Sequence, residues 1–140
     1  MKPGLSAHMP ELIIYSDEQN YDVETYIQIY NCLGYMMQVE IEYIHKVIWD
    51  AKKPVMTIKP MAAGRVTPFV GLNFSFATIR PCDMVTVGCF TPDEAREDIE
   101  IGMAAIERRA PDLEGRNSPN KTAALGGAED KADPFAYGKI

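Results

Sequence analysis

The chain has no apolar run of about 18 residues, and its first residues contain no basic segment followed by an apolar one. The first absence excludes a membrane-spanning helix and the second a secretory signal peptide, so we expect a cytoplasmic protein without a membrane partner. Basic side chains are also scarce: 14 stand against 20 acidic ones, and the net charge is -6. Because a phosphate backbone requires a basic footprint, we expect no nucleic-acid partner.

Cysteine and histidine are few. The three cysteines form no C-x-x-C pair, and the two histidines, His8 and His45, have no cysteine or carboxylate at metal-ligand spacing. We therefore expect reduced thiols, which mostly serve as small buried apolar groups, and no metal site.

The remaining composition is that of an ordinary globular domain, with 46% apolar and 24% charged residues among 140. Residues 1–109 carry the apolar periodicity of a folded unit. Residues 110–140 differ, because they combine proline, glycine and charge without periodic apolar spacing. We expect one domain followed by a loosely ordered C-terminal tail.

Three short strands are predicted from runs of β-branched and apolar residues. They cover residues 23–30, 55–58 and 84–88. Residues 1–10 are rich in turn-forming residues, with a short apolar piece at Leu5. This piece precedes the first of the strand ends considered below.

Helices are predicted between these strands. Pro10 opens a short one, and apolar residues from Met37 to Ile48 recur at helical spacing, with Glu42 placed to pair with Lys46. Thr67 and Thr91 are expected to cap the next two helices, each followed by a proline at the first helical position. The helix that begins after Thr67 has four apolar residues on one face, namely Phe69, Leu72, Phe76 and Ile79. The helix that begins after Thr91 runs to about Arg109.

Alternating strands and helices in units of roughly thirty residues predict an α/β fold with parallel strands, since a helix supplies the crossover between parallel neighbours. Strands this apolar are typical of sheets covered on both faces. Two architectures fit, an open doubly wound sheet and part of a (βα)8 barrel of the TIM type. A closed barrel needs about 250 residues, so this chain supplies about half of one, the length of four βα units.

In both architectures, ligands bind at the carboxyl ends of the strands. The sharpest candidate there is Lys59, which ends an apolar strand. A lysine in that place acts as a base or Schiff-base nucleophile when desolvated, or as the cation for an anionic ligand. The alternative is a lysine that pairs with a carboxylate at the rim.

Glycines before two helix starts indicate sites for a phosphate. Gly64 and Arg65 precede the Thr67 cap, and Gly88 precedes the Thr91 cap. Free N–H groups and the helix dipole favour an anion at such positions, although a glycine there also serves a simple tight turn.

Taken together, the four strand ends resemble the carboxyl-terminal half of the aldo-keto reductase family. The matching residues are Gly4 to His8, Tyr30-Asn31, Ile58 to Gly64, Val87-Gly88, Thr91-Pro92 and Glu97-Asp98. The resemblance covers roughly residues 4–109. It implies the last four units of a (βα)8 barrel that binds a nicotinamide cofactor, NAD(P), across the strand ends.

The resemblance also assigns roles to residues. Ser6 matches a serine that hydrogen-bonds the nicotinamide carboxamide, and Glu97 matches an acid near the adenine. The other implied cofactor contacts lie at the remaining strand ends, at Asn31, Gly64, Arg65, Gly88 and Thr91. Glu94 lies near a position that is often arginine, and its carboxylate would repel the 2′-phosphate of NADP.

The family's catalytic residues belong to the amino-terminal half of the barrel, which this sequence does not include. We therefore expect an oxidoreductase-related half-barrel that takes a small-molecule ligand. Since half a barrel leaves two strand edges unpaired, we expect a homo-oligomer or pairing with the missing half.

Two other functions remain open from the sequence. One is an aldolase or lyase in which Lys59 forms a Schiff base while Gly64, Arg65 and Gly88 hold a phosphorylated substrate. The other is a non-catalytic assembly subunit whose strand edges bind a partner. The substrate itself is not specified by these residues.

Overall fold

The computed structural model describes residues 1–113, in which four strands alternate with four helices. In chain order these are β1 (Gly4–Ala7), α1 (Glu11–Glu18), β2 (Thr25–Ile29), α2 (Ile41–Asp50), β3 (Val55–Ile58), α3 (Pro68–Thr78), β4 (Met84–Thr86) and α4 (Pro92–Glu107). The predicted α/β class is confirmed. Of the tail predicted at residues 110–140, residues 114–140 lie outside the described part.

The four strands form one parallel sheet in the order β1-β2-β3-β4. Leu5 lies beside Tyr26, Tyr26 beside Val55, and Thr57 beside Val85. This order follows the sequence, and the described strands contain no reversal of the kind that marks the switch point of a doubly wound sheet. Right-handed crossovers between consecutive parallel strands place their helices on the same face.

One face of the sheet is packed under the helices. Tyr26 and Val55 are fully buried there, in a core shared with Ile13 of α1 and with Ile44 and Ile48 of α2. Burial of each large apolar side chain contributes roughly 1.5–3 kcal/mol, so this layer holds the sheet to its helices.

The opposite face is not covered to the same degree by residues 1–113. Ile27, Met56 and Ile58 are half-buried and Met84 is 39% exposed, with Ser6 exposed at the β1 margin. We call these five residues the uncovered face. The described residues therefore cover this face less completely than the helix face, although Ile29, which lies beside Ile58, is fully buried.

The predicted helix caps are confirmed. The Thr67 hydroxyl accepts a hydrogen bond from the Val70 N–H, and Thr91 and Glu94 form both bonds of a capping box. Phe69 departs from the expectation that it shares an apolar face with Leu72, because it is 49% exposed whereas Leu72 is fully buried.

Strand bounds also differ from prediction. The strand predicted at residues 23–30 is shorter, and the stretch predicted as turn-rich contains β1. β1 forms because Gly4–Ala7 pairs along its length with β2, a contact that local residue preferences do not encode.

The amino ends of β3 and β4 are tied together by a buried ion pair. Arg80 donates two hydrogen bonds to the Asp83 carboxylate at 2.7 and 2.9 Å, and a third to the Lys53 carbonyl at 2.9 Å. Asp83 in turn accepts from the Val55 N–H at 2.8 Å. Hydrogen bonding to Asp83 raises the pKa of Arg80 above its usual value, so this guanidinium stays charged.

The C-terminal end of α4 is fastened by Glu100. Its carboxylate accepts hydrogen bonds from Arg109, the shortest at 2.5 Å, and from the Asp112 N–H at 2.8 Å. These two donors, Arg109 foremost, lower the pKa of Glu100 to about 2.

This lowered pKa predicts a specific pH dependence. The Glu100 interactions stabilise the folded chain fully above the unfolded-state pKa near 4.3, and the contribution is lost as pH falls through about 2. In an NMR titration of the side-chain carboxyl, Arg109→Gln should raise the pKa of Glu100 toward its ordinary value. Lys46→Gln, which removes an exposed lysine on α2 paired with Asp50, should leave it unchanged. A wild-type Glu100 that titrates at its ordinary value would contradict this account.

Candidate functional site

The carboxyl ends of β2 and β3 lead into two neighbouring loops, residues 30–40 and 59–67. We call them the first loop and the second loop. Four residues of the second loop have left-handed backbone, with φ of +61° at Lys59, +50° at Ala62, +55° at Ala63 and +78° at Gly64. In the first loop Met36 has φ +57°. The left-handed region costs a non-glycine residue roughly 1–2 kcal/mol, and strain of this kind concentrates at functional sites.

Two cations of the second loop rest on the first loop. The Lys59 Nζ lies 3.2 Å from the Met36 sulfur, and the Arg65 guanidinium lies 3.9 Å from the centre of the Tyr35 ring. Arg65 also donates a hydrogen bond to the Ala62 carbonyl at 3.2 Å. Neither cation forms an ion pair with a carboxylate of residues 1–113, so the rim pairing considered for Lys59 does not form there.

Asn31 organises the first loop from within. It is fully buried, and its Oδ1 accepts hydrogen bonds from the Tyr35 N–H at 2.9 Å and the Leu33 N–H at 3.2 Å. Its Nδ2 donates to the Tyr35 carbonyl at 3.0 Å. These bonds hold Tyr35 in place beneath Arg65. The geometry therefore gives Asn31 a positioning role, and its contact with a cofactor stays a prediction.

The second loop packs directly on α3 at Gly71. A Cβ placed on Gly71 would lie 2.6 Å from the Pro60 carbonyl oxygen, a distance that no side chain tolerates. Only glycine therefore lets the helix approach the loop this closely. Since Pro60 follows Lys59 in sequence, this contact fixes the position of the loop segment that carries Lys59.

The two helix starts predicted to hold phosphate differ in charge. Helix α3 has no acidic residue in its first turn and follows Arg65 closely. Helix α4 has Asp93 and Glu94 there, and Glu94 accepts hydrogen bonds from the Phe90 N–H at 2.6 Å and the Thr91 N–H at 3.3 Å. The protein's own carboxylate thus occupies N–H groups near Gly88 that an anion would need.

The predicted site residues fall into two groups. Lys59, Gly64 and Arg65 share the second loop, which contacts the loop that Asn31 organises. The others lie on separate elements: Ser6 is exposed within β1, Gly88 and Thr91 are exposed between β4 and α4, and Glu97 is half-buried on α4.

A nicotinamide dinucleotide carries a pyrophosphate, which suits the cations of the second loop. Ser6 is free to meet a ligand on the uncovered face, because it is exposed and lies beside Ile27. The carboxylate of Glu94 accepts hydrogen bonds from the Phe90 and Thr91 N–H groups, and its place near a 2′-phosphate stays a prediction from the resemblance.

Sequence reasoning did not identify Tyr35 and Met36 as site residues. Their contacts with Arg65 and Lys59 join two loops that are distant in sequence and become neighbours only because β2 pairs with β3. A partial signal was present, because an asparagine directly after a strand commonly closes a turn through its side chain.

The expected burial of the cysteines is wrong, because Cys32 is half-buried and Cys82 and Cys89 are exposed. Desolvation, followed by the hydrogen bond to Asp98 at 3.3 Å, raises the pKa of the Cys89 thiol, so it stays protonated at neutral pH. Within residues 1–113, no three histidine, cysteine or acidic side chains are grouped to hold a metal ion.

A separate cleft of about 320 Å³ lies between α1 and α2. Its apolar lining includes Ile13, Ile14 and Val47, and none of the predicted site residues borders it. The cleft is therefore distinct from the strand ends.

Comparison of the chain with protein-family models, curated proteins and solved structures found no match in any of the three. Across the described residues, every helix is too short or too polar to cross a bilayer.

Proposed function

We propose that the chain binds an anionic small molecule between the first and second loops, as the cofactor-binding half of an oxidoreductase similar to the aldo-keto reductases. One observation carries the proposal. Lys59 and Arg65 lack carboxylate partners among residues 1–113, and they stand on a strained loop at the carboxyl end of a parallel strand. Ligands of parallel α/β folds bind at this edge.

The chemistry of the two cations favours a phosphate-bearing ligand. Arginine offers a planar fork of donors and lysine a compact point charge, and both are common partners of phosphate. Arg80 and Arg109 are already paired with carboxylates, and the ammonium groups of Lys52 and Lys53 donate to the backbone carbonyls of Asp17 and Tyr21. The resemblance to aldo-keto reductases supports the pyrophosphate of NAD as the anion, and such a cofactor supplies hydride transfer when bound.

The consecutive strand order supports the barrel part of the proposal. Four parallel strands in sequence order, with a helical layer on one face and the uncovered face on the other, match the arrangement of half a (βα)8 barrel. In that arrangement the uncovered face becomes the barrel interior, and Ser6 lies on the inside near the nicotinamide end.

Binding measurements test the proposal. We expect the full chain to bind NAD⁺ and inorganic pyrophosphate in calorimetric titrations, with NADP⁺ bound more weakly because of Glu94. Lys59→Met and Arg65→Gln should each weaken pyrophosphate binding roughly 10- to 100-fold, since a hydrogen bond to a charged group contributes about 1.5–3 kcal/mol.

Lys46→Met is the matched control, because Lys46 is an exposed lysine on α2 that pairs with Asp50. Its binding should equal that of the wild type. Absence of binding for both ligands, or equal losses in Lys46→Met and Lys59→Met, would contradict the anion site. Borohydride trapping of a carbonyl compound on Lys59 would instead support the Schiff-base lyase.

A further inference from the structure

The sheet has two edges without a strand partner in the described part of the chain. β1 pairs with β2 alone and β4 with β3 alone, and the uncovered face lies between these edges. An open strand edge next to apolar surface is a pairing site for another sheet.

Helix α4 carries apolar surface beside the β4 end of the sheet. Ile99, Met103 and Ile106 are spaced four and three residues apart, so they share one side of the helix, and they are 66%, 44% and 57% exposed. A different side packs on α3, where Gly102 lies against the Phe76 ring. We call the three exposed residues the α4 stripe. It is available to a neighbour other than α3.

Helix α1 presents a matching flank at the other end of the sheet. Leu12 and Tyr15 are three residues apart on one side, and Tyr15 is 53% exposed. Ile13 and Ile14 border the cleft between α1 and α2. Leu12 is two positions from Ile14 and Tyr15 is two positions from Ile13, and residues two apart lie on nearly opposite sides of a helix. Leu12 and Tyr15, which we call the α1 flank, therefore face away from α2.

One pair of opposite charges is available beside these two surfaces. Glu11 precedes Tyr15 by one helical turn, and Arg96, which pairs with Asp93 on its own helix, precedes the α4 stripe by about one turn. Both residues lie near the amino ends of their helices. When α1 and α4 run side by side in the same direction, as adjacent helices of a barrel do, these charges come to the same level.

We propose that a second copy of this chain occupies both open sides. β4 of each copy pairs in parallel with β1 of the other, so that a twofold axis relates the copies and eight strands close into a barrel. The α4 stripe of one copy packs on the α1 flank of the other, with Arg96 opposite Glu11. The uncovered faces fill the interior, as side chains fill an eight-stranded barrel.

A stable dimer needs about 800 Å² of buried surface per partner. Each copy would contribute two strand edges, the uncovered face and two helix flanks. The inference rests on the proposed function, because closure of the barrel places the second loops of both copies, each with its Lys59, on one rim. Dimerisation is nevertheless measured independently of ligand binding.

Sedimentation and light scattering of the full chain at low micromolar concentration test the dimer. We expect twice the chain mass of 15.6 kDa. Met84→Glu and Met103→Glu should each weaken dimerisation about tenfold or more, because a carboxylate would be buried without a partner. Val70→Glu is the control, since Val70 is 48% exposed on α3 outside both surfaces and its substitution should leave the dimer intact.

A charge exchange keeps the test valid if either glutamate variant fails to fold. Arg96→Glu should weaken the dimer severalfold, as expected for a partly exposed pair, and adding Glu11→Arg should restore it. Failure of that restoration would overturn the proposed pairing of α4 with α1.

A monomer at all concentrations, or an open assembly larger than a dimer, would overturn the second-copy inference. If such a monomer binds pyrophosphate, the proposed function stands and only the second-copy inference fails. A dimer that responds to these substitutions but binds neither NAD⁺ nor pyrophosphate would support the inference and contradict the proposed function.

Discussion

Asp83→Ala should lower the free energy of unfolding by about 3–5 kcal/mol, because it leaves a buried arginine without its counter-ion. The Asp83 side chain is fully buried and that of Arg80 is 14% exposed. The substitution also removes the acceptor of the Val55 N–H, so a backbone donor at the start of β3 loses its bond. Since a domain of this size has about 5–15 kcal/mol of stability in total, the loss is a large share.

Urea unfolding followed by the fluorescence of the single tryptophan, Trp49, measures this loss at one fixed protein concentration, because association affects apparent stability. Asp50→Ala removes an exposed pair with Lys46 and should change stability by no more than about 1 kcal/mol. Asp83→Asn, which keeps the shape but not the charge, should lose most of what Asp83→Ala loses. Equal small effects of Asp83→Ala and Asp50→Ala would contradict the structural role of Arg80.

Gly71→Ala should destabilise the fold by about 1–3 kcal/mol and weaken pyrophosphate binding. On helix propensity alone, alanine would be favoured over glycine by about 1 kcal/mol. The new Cβ, however, would stand 2.6 Å from the Pro60 carbonyl oxygen, which is backbone and cannot rotate away. Relief of the clash requires α3 to move from the loop that holds Lys59, so stability and binding fall together.

Gly102→Ala is the matched control for this prediction, because it adds the same methyl group to another buried helical glycine. There the nearest atom is the Phe76 ring at 3.0 Å, which is a side chain and can shift. We expect its stability to stay within about 1 kcal/mol of the wild type, since gained helix propensity offsets the crowding. A Gly71→Ala variant as stable as Gly102→Ala would show that the loop does not depend on this contact.

Features encoded within a few residues were predictable from the sequence. The caps at Thr67 and Thr91 are examples, since each bond of a cap spans no more than three residues. Lys59 and Arg65 were placed at a strand end by the same local reasoning, because an apolar run followed by a turn marks where a strand stops.

Features that depend on contacts across the fold were not predictable. From the sequence, Arg80 is predicted only to end a helix. Its hydrogen bonds to the Ala51 and Lys53 carbonyls join residues that are 29 and 27 positions apart. The choice between a doubly wound and a consecutive sheet likewise depends on which strands pair, and both arrangements have the same alternation of strands and helices.

The predicted pair of Glu42 with Lys46 is wrong, because Lys46 pairs with Asp50, the acid four residues on the other side. Spacing alone did not distinguish the two acids. Glu42 instead acts on Tyr30, whose pKa is raised by burial and, to a lesser degree, by this carboxylate.

Amide hydrogen exchange at the two open strand edges tests most directly whether this sheet is completed by a neighbour. Among residues 1–113, β1 and β4 each have a strand partner on one side only. If two copies close a barrel, protection of Gly4–Ala7 and Met84–Thr86 should rise with protein concentration and fall in Met103→Glu. Fast exchange of these amides at every concentration, while β2 and β3 stay protected, would contradict the account.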